Sequence, residues 1–358
     1  MSADPNQEYF SDGLSEEILN ALVKVDDLRV ISRTSAFAFK NTALSIPQIA
    51  EQLKVSHVLE GSVRTAGDQV RITAQLIEAD SDSHLWSEAY SRSMENVFEV
   101  QEEISRAIAG QLQLRLSDNQ PAGRPTDNVE AYRLFLRGRH HYQLRGDEDL
   151  AKAIDLLGQA VALDPTFDEA WANLAAALLV AAFIANEGHE SGYAEAADAA
   201  ERAIALNARN GLAQGVQGLL AFRDFNYQEA LERLDLAIEY NPNESNSYLW
   251  KGIVLLGLGY IDDAIYVLKA AETFDPAFAN LHNWLALAHL STGDVAAAVH
   301  HRDMALAVDP DFEFNSAADL ARLDGGVKAE VQVIRDTLSS GPEGEAVAEA
   351  YIAALLDP

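Results

Sequence analysis

Nine histidines are the residues best suited to chemistry in this chain, because imidazole binds metal ions and exchanges protons near neutral pH. His282 and His289 stand seven apart, while His140–His141 and His300–His301 are adjacent pairs. A metal site needs three or four ligands converging on one point, and adjacent residues of a helix project about 100° apart. On spacing alone the histidines read as packing or surface residues, so neither a metal nor another cofactor is expected. The acid pairs Glu16–Glu17, Asp26–Asp27, Glu102–Glu103 and Asp262–Asp263 read as helix starts and solvated faces. No nucleophile elbow, Walker loop, dinucleotide fingerprint or zinc-protease helix occurs, and Gly257-Leu258-Gly259 fits a turn between helices. The lack of cysteine removes disulfides, thiolate catalysis and cysteine-ligated metals. Such a chain is expected to bind partners, not to act as an enzyme.

Composition narrows the partners. The 358 residues are 48% hydrophobic and 23% charged, an ordinary globular composition with length for two domains. With 56 acidic against 26 basic residues the net charge is -30, which leaves no basic footprint for nucleic acid or an anionic bilayer. The longest apolar run, Leu174 to Ala185, is mostly alanine and falls well short of the roughly 20 residues needed to span a membrane. The opening MSADPNQEYF has neither the basic start nor the apolar middle of a secretory signal.

Residues 117–128, with two prolines, one glycine and nothing apolar larger than alanine, read as a linker between residues 1–116 and the rest. Beyond it the sequence repeats. Prolines fall at 165, 242, 276 and 310, and each is preceded by alanines five and twelve positions earlier: Ala153 and Ala160, Ala230 and Ala237, Ala264 and Ala271, Ala298 and Ala305. Ala196 and Ala203 keep that spacing in a further unit where Ala208 replaces the proline. Gly138, Ala175, Gly218, Gly252 and Ala286 place a small residue on each preceding helix. Antiparallel helices approach closely only where side chains are small, and proline stops the second helix. Five units follow, 129–165, 166–208, 209–242, 243–276 and 277–310. The first has extra residues around Arg145 to Glu148 and the second around Val180 to Ser191, which predicts longer loops or helices there. Phe314–Leu323, Val327–Leu338 and Glu345–Leu356 read as three helices of a C-terminal cap over 311–358.

The first 116 residues read as a small sheet with helices. Ser15–Val25 is a helix with a serine cap, Leu28–Ser32 a short strand, and Ile46–Leu53 a helix with proline in its first turn. Three alternating runs, His57–Arg64, Gln69–Ala79 and His84–Ser91, are strands, the first two a hairpin with Val70, Ile72, Ala74 and Leu76 on one face. Val97–Leu116 is a long helix leading to the linker. The fold class is an α+β N-terminal domain followed by an all-α superhelix, an α-solenoid.

The 34-residue units with their alanines and terminal prolines resemble the tetratricopeptide repeat. The resemblance implies a concave groove lined by the first helix of each unit. It would be formed by Tyr132, Phe135, Arg139 and Tyr142, then Asn173 and Leu179, then Leu219, Phe222 and Arg223, then Asn246, Leu249, Trp250 and Ile253, then Asn283, Trp284 and Leu287. It also places His282 and His289 where the family holds core tryptophan and tyrosine. This lining is aromatic and apolar and lacks the lysine clamp of chaperone-tail binders, so the expected occupant is a protein or peptide with an apolar segment and basic flanks. The chain's own C-terminal helices, above all Val347–Leu356, are the alternative occupant, covering Trp250 and Trp284; closure by dimerisation is a third.

The runs Asp4-Pro5, Glu8-Tyr9-Phe10, Asp12-Gly13, Glu16-Glu17, Leu28–Ser35, Val58–Arg64 and Val70–Ile77 resemble the TolB-amino-terminal-like domain. That resemblance implies a bacterial signalling protein, with a class III adenylate cyclase domain or a CadC-like winged helix upstream, and places this region outside the cytoplasmic membrane. A free-standing scaffold is the remaining alternative. Family members carry an apolar strand ending in Leu-Pro-Phe before the Asp-Pro loop, which here begins the chain, so an unpaired sheet edge suited to a homodimer is expected. Arg64, Arg71 and Trp86 are the residues expected around a small-molecule pocket, a less favoured function.

Overall fold

The computed structural model describes residues 5–23, 25, 28–40, 42–66, 69–93, 97–112, 125–144, 146–184, 190–310 and 312. The chain forms two compact units, residues 1–250 and 251–358.

The first unit opens with helix α1 (Pro5–Leu22), followed by α2 (Arg33–Ala38) and α3 (Ile46–Leu53). Phe10, Leu14, Ile18 and Leu22 recur at helical spacing on α1, and all are buried. This helix begins ten residues before the expected start at Ser15, whose hydroxyl donates to Ser11 O at 2.9 Å within the helix and does not cap it. Leu28–Ser32, expected as a strand, lies outside the sheet; the run ends at Ser32, the N-cap residue of α2. Helix α3 starts where expected: Ser45 and Gln48 form a capping box, with Pro47 in the first turn.

The sheet is antiparallel in the order β1 (His57–Ala66), β2 (Gln69–Glu78), β3 (Ser83–Ser93). Val70, Ile72, Ala74 and Leu76 are buried on one face, as the alternation predicts. Helix α4 (Val97–Gln111) contributes Val100, Ile104 and Ile108 to the core and packs on α1, β2 and β3. The strands β1 and β3 are the sheet's edges.

Helical hairpins then follow: α5 (Val129–Leu144) with α6 (Asp147–Leu163), α7 (Asp168–Ile184) with α8 (Glu190–Leu206), and α9 (Gly211–Arg223) with α10 (Tyr227–Tyr240). Helix α11 (Ser245–Gly257) begins in the first unit and ends in the second. The second unit continues with α12 (Ile261–Glu272), α13 (Ala279–Ser291) and α14 (Val295–Val308). The three helices expected after Pro310 lie outside the described residues.

All ten repeat alanines, from Ala153 and Ala160 to Ala298 and Ala305, are fully buried. The small residue on each first helix is needed for the close approach: a Cβ on Gly138 would lie 2.6 Å from Leu157 Cγ, and one on Gly252 2.5 Å from Leu268 Cδ2. The extra residues of the first two hairpins lengthen helices. Helices α5–α8 have 16 or 17 residues, whereas α9, α10, α12, α13 and α14 have 12 to 14.

Candidate functional site

Helix α1 packs on α5, the first helix of the first hairpin. Gly13 makes the approach possible, since a Cβ there would fall 2.5 Å from Leu136 Cδ2. Arg139 of α5 is 7% exposed; its Nη1 meets Glu17 Oε1 at 3.0 Å, its Nε lies 3.4 Å from Glu16 Oε2, and its guanidinium covers the Phe135 ring at 4.8 Å. Burial alone would weaken the guanidinium's hold on its proton, but the charges of Glu16 and Glu17 outweigh it and raise the Arg139 pKa. Glu16 also pairs with Arg33 at 3.0 Å.

Beside this network Asp12 receives Lys40 Nζ at 2.5 Å and has His140 Nδ1 at 3.6 Å. Burial pushes the Asp12 carboxyl up, yet hydrogen bonds from His140 and Lys40 and the charges of Lys40 and Arg33 bring it below the ordinary aspartate value. Tyr132, Phe135 and Tyr142 are buried like Arg139. These first-hairpin positions, expected to line a partner groove, are thus buried, with α1 packed on α5; the C-terminal helices expected as an alternative cover of Trp250 and Trp284 lie outside the described residues.

Farther along the first unit the groove positions divide. Asn173 and Leu179 are buried in α7, and Leu249 and Trp250 are buried in α11, with Trp250 packed at Gly215. Leu219, Phe222 and Asn246 are half-buried, and Arg223 is exposed with its guanidinium 4.3 Å over the Tyr193 ring. Phe222 meets Tyr227 in a tilted contact with ring centroids 5.8 Å apart, and Tyr227 meets Phe225 edge-to-face at 6.2 Å. Phe225 was not anticipated: it is 77% exposed in the α9–α10 turn with a positive φ of 62°, where the later turns place Gly259 and Gly293. The signal was present, because 225, 259 and 293 are spaced by the repeat length.

The three residues proposed around a small-molecule pocket do not converge. Arg64 and Arg71 are exposed cross-strand partners, whereas Trp86 pairs with Leu76, whose side chain faces the core with Ile72 and Ala74. Successive strand residues alternate faces, so the tryptophan and the two arginines lie on opposite sides of the sheet.

In the second unit Ile253, Trp284 and Leu287 are half-buried, and Asn283 is buried. Its main polar feature is a histidine cluster. His282 and His301 stack with ring centroids 5.4 Å apart, and His289 stacks on His301 at 5.5 Å. The Nδ1 atoms of His282 and His301 approach to 3.1 Å, and Glu272 Oε1 lies 4.0 Å from the first and 3.8 Å from the second. Burial pushes His301 down to about 3, with the nearby His282, His300, His289 and Lys269 acting in the same direction. Burial also lowers His289, reinforced by Lys269 and opposed by Asp294 and Glu272. The repeat resemblance put His282 and His289 at core positions but gave no convergence, because the third imidazole and the carboxylate come from helices α14 and α12.

The architecture is an α+β region followed by an α-solenoid of helical hairpins. The chain matches no family model. It is 38% identical over 177 residues, 49% of its length, to the protein of Rhizobium meliloti (strain 1021) named "Putative adenylate cyclase 3", and the match spans 30% of that relative. Among solved structures, TTC0263, a tetratricopeptide-repeat protein of Thermus thermophilus, is 20% identical with a TM-score of 0.44, covering 55% of this chain and 99% of its own. PilF of Pseudomonas aeruginosa is 16% identical with a TM-score of 0.45, covering 62% and 97%. No described helix is long and apolar enough to cross a membrane.

Proposed function

We propose that this chain is the non-catalytic, partner-binding and sensory region of a bacterial signalling protein, joined to a class III adenylate cyclase domain. The observation that carries the reading is the 38% identity to a protein bearing a cyclase name, of whose length the chain spans only 30%. The chemistry of the groove fits a binding role. On the first unit Leu219, Phe222, Arg223 and Asn246 combine apolar surface with a few polar anchors and keep access to solvent. The excess of 56 acidic over 26 basic residues steers a basic, amphipathic segment toward that lining. In this reading the region sits on the far side of the cytoplasmic membrane from the catalytic domain and reports partner occupancy to it.

Two measurements test the proposal. Sequencing the locus upstream of Met1 is expected to reveal an in-frame cyclase domain; a winged helix or no upstream domain refutes the cyclase assignment. Pull-down with wild type and a Phe222→Ala/Arg223→Ala double variant, both checked for folding by circular dichroism, is expected to separate partners that depend on the groove. Retention of every partner by the variant rejects recognition at this site.

A further inference from the structure

We propose that Glu272, His282 and His301 form a binding site for one divalent first-row transition ion of the zinc class, which ties α12 to the α13–α14 hairpin. The three donor atoms, Glu272 Oε1 and the two Nδ1 atoms, all lie within 4.8 Å of one another. Their separations of 3.1, 3.8 and 4.0 Å compare with the roughly 3.3 Å edge of a tetrahedron whose metal–nitrogen bonds are about 2.0–2.1 Å. Small movements of the partly exposed glutamate close the difference.

A second observation selects the ligand atom. His282 Nε2 lies 2.7 Å from Pro276 O, and a carbonyl only accepts, so Nε2 carries the proton. Neutral His282 therefore presents a bare Nδ1 lone pair to His301 and Glu272. A ligating imidazole ordinarily holds its other N–H on a backbone carbonyl or carboxylate in this way. Without an ion, a single proton shared between the two Nδ1 atoms satisfies that pair but leaves Glu272 beyond hydrogen-bond reach at 3.8 and 4.0 Å. An ion uses all three donors together.

Two imidazoles and one carboxylate suit zinc, cobalt(II) or nickel(II), and not the all-oxygen preference of magnesium or calcium. Both histidines are buried, while the Glu272 side chain is 29% exposed and opens the remaining coordination position to water. The three ligands come from three helices, so the ion acts as a structural clamp.

Untagged full-length chain, stripped with a chelator, is titrated with Co2+ while its visible d–d absorption is recorded, and its melting temperature is measured with Zn2+ and with Mg2+. The expected result is saturation at one equivalent of Co2+, a higher melting temperature with Zn2+ and no rise with Mg2+. Glu272→Gln, at a partly exposed position compatible with folding, weakens Co2+ binding by about tenfold or more, as does His301→Asn; His300→Asn leaves it unchanged. No saturable binding overturns the proposal. So does binding that survives both ligand substitutions, which assigns the ion to surface histidines.

Discussion

Arg139 and Glu17, 122 residues apart in sequence, meet at 3.0 Å and fix the N-terminal helix to the first hairpin of the solenoid. The guanidinium serves Glu16 as well, at 3.4 Å, and little of it is reached by water. Buried pairs of this kind contribute modestly when intact, but removal of one partner leaves a charge without compensation. Arg139→Ala is expected to destabilise the first unit by about 3 kcal/mol, read as a lower denaturant midpoint. Arg139→Lys is expected to recover only part of the loss, because an ammonium cannot span both carboxylates as a planar fork does.

The repeat glycines and a helical glycine outside the repeat pattern are expected to respond in opposite directions. Gly138→Ala and Gly252→Ala place a Cβ within 2.6 Å of a buried leucine and should each cost about 1–3 kcal/mol. Gly158 lies within α6 with nothing inside 4 Å of its virtual Cβ, so Gly158→Ala should stabilise by about 0.5–1 kcal/mol. Thermal unfolding of the three variants against wild type decides the matter; equal signs for Gly138→Ala and Gly158→Ala would refute the close-approach explanation.

Phe225 occupies a left-handed turn position at which the later hairpins use glycine. A side chain there costs about 1–2 kcal/mol, and at 77% exposure this one returns little packing. Phe225→Gly is therefore expected to raise stability by about 1 kcal/mol. If it also weakens partner capture, the exposed ring is retained for binding; unchanged or lower stability contradicts the strain.

Asp12 contributes to the acid dependence of the first unit. Its carboxyl is held below the ordinary value in the folded state, whereas the unfolded chain titrates near 3.9. Between the two values the unfolded state binds more protons, so the contribution is complete above about pH 4 and is lost as pH falls through the folded value. Asp12→Asn should lower the denaturant midpoint at pH 7 and narrow the difference between pH 7 and pH 3. Parallel midpoints for variant and wild type across that range would exclude Asp12 as the titrating group.

The hairpins were readable because close helix packing restricts side chains at fixed intervals: the positions of Ala153, Ala160 and Gly138 announce themselves by size alone. The start of α1 was not, since Ser15 reads locally as a cap. In the structure Gly13 admits Leu136, and Ser15 bonds back to Ser11, both within a continuous helix. Tertiary docking overrode the local preference. For the same reason the repeat pattern put Arg139 on the first helix of its hairpin but could not indicate a partner from 122 residues earlier. The convergence of the histidine cluster was not legible because His301 and Glu272 come from α14 and α12, and the spacing of His282 and His289 within α13 carries no trace of them.

The alanine pairs carry a mechanical consequence. Alanine has no rotamers to lose on burial, and the two buried alanines of each hairpin offer no alternative side-chain arrangements into which it could repack. Each hairpin should behave as a stiff plate, with compliance left to the seams between one hairpin and the next. A ligand or partner seated within one unit would then act at the seams between neighbouring hairpins and leave each plate itself unchanged.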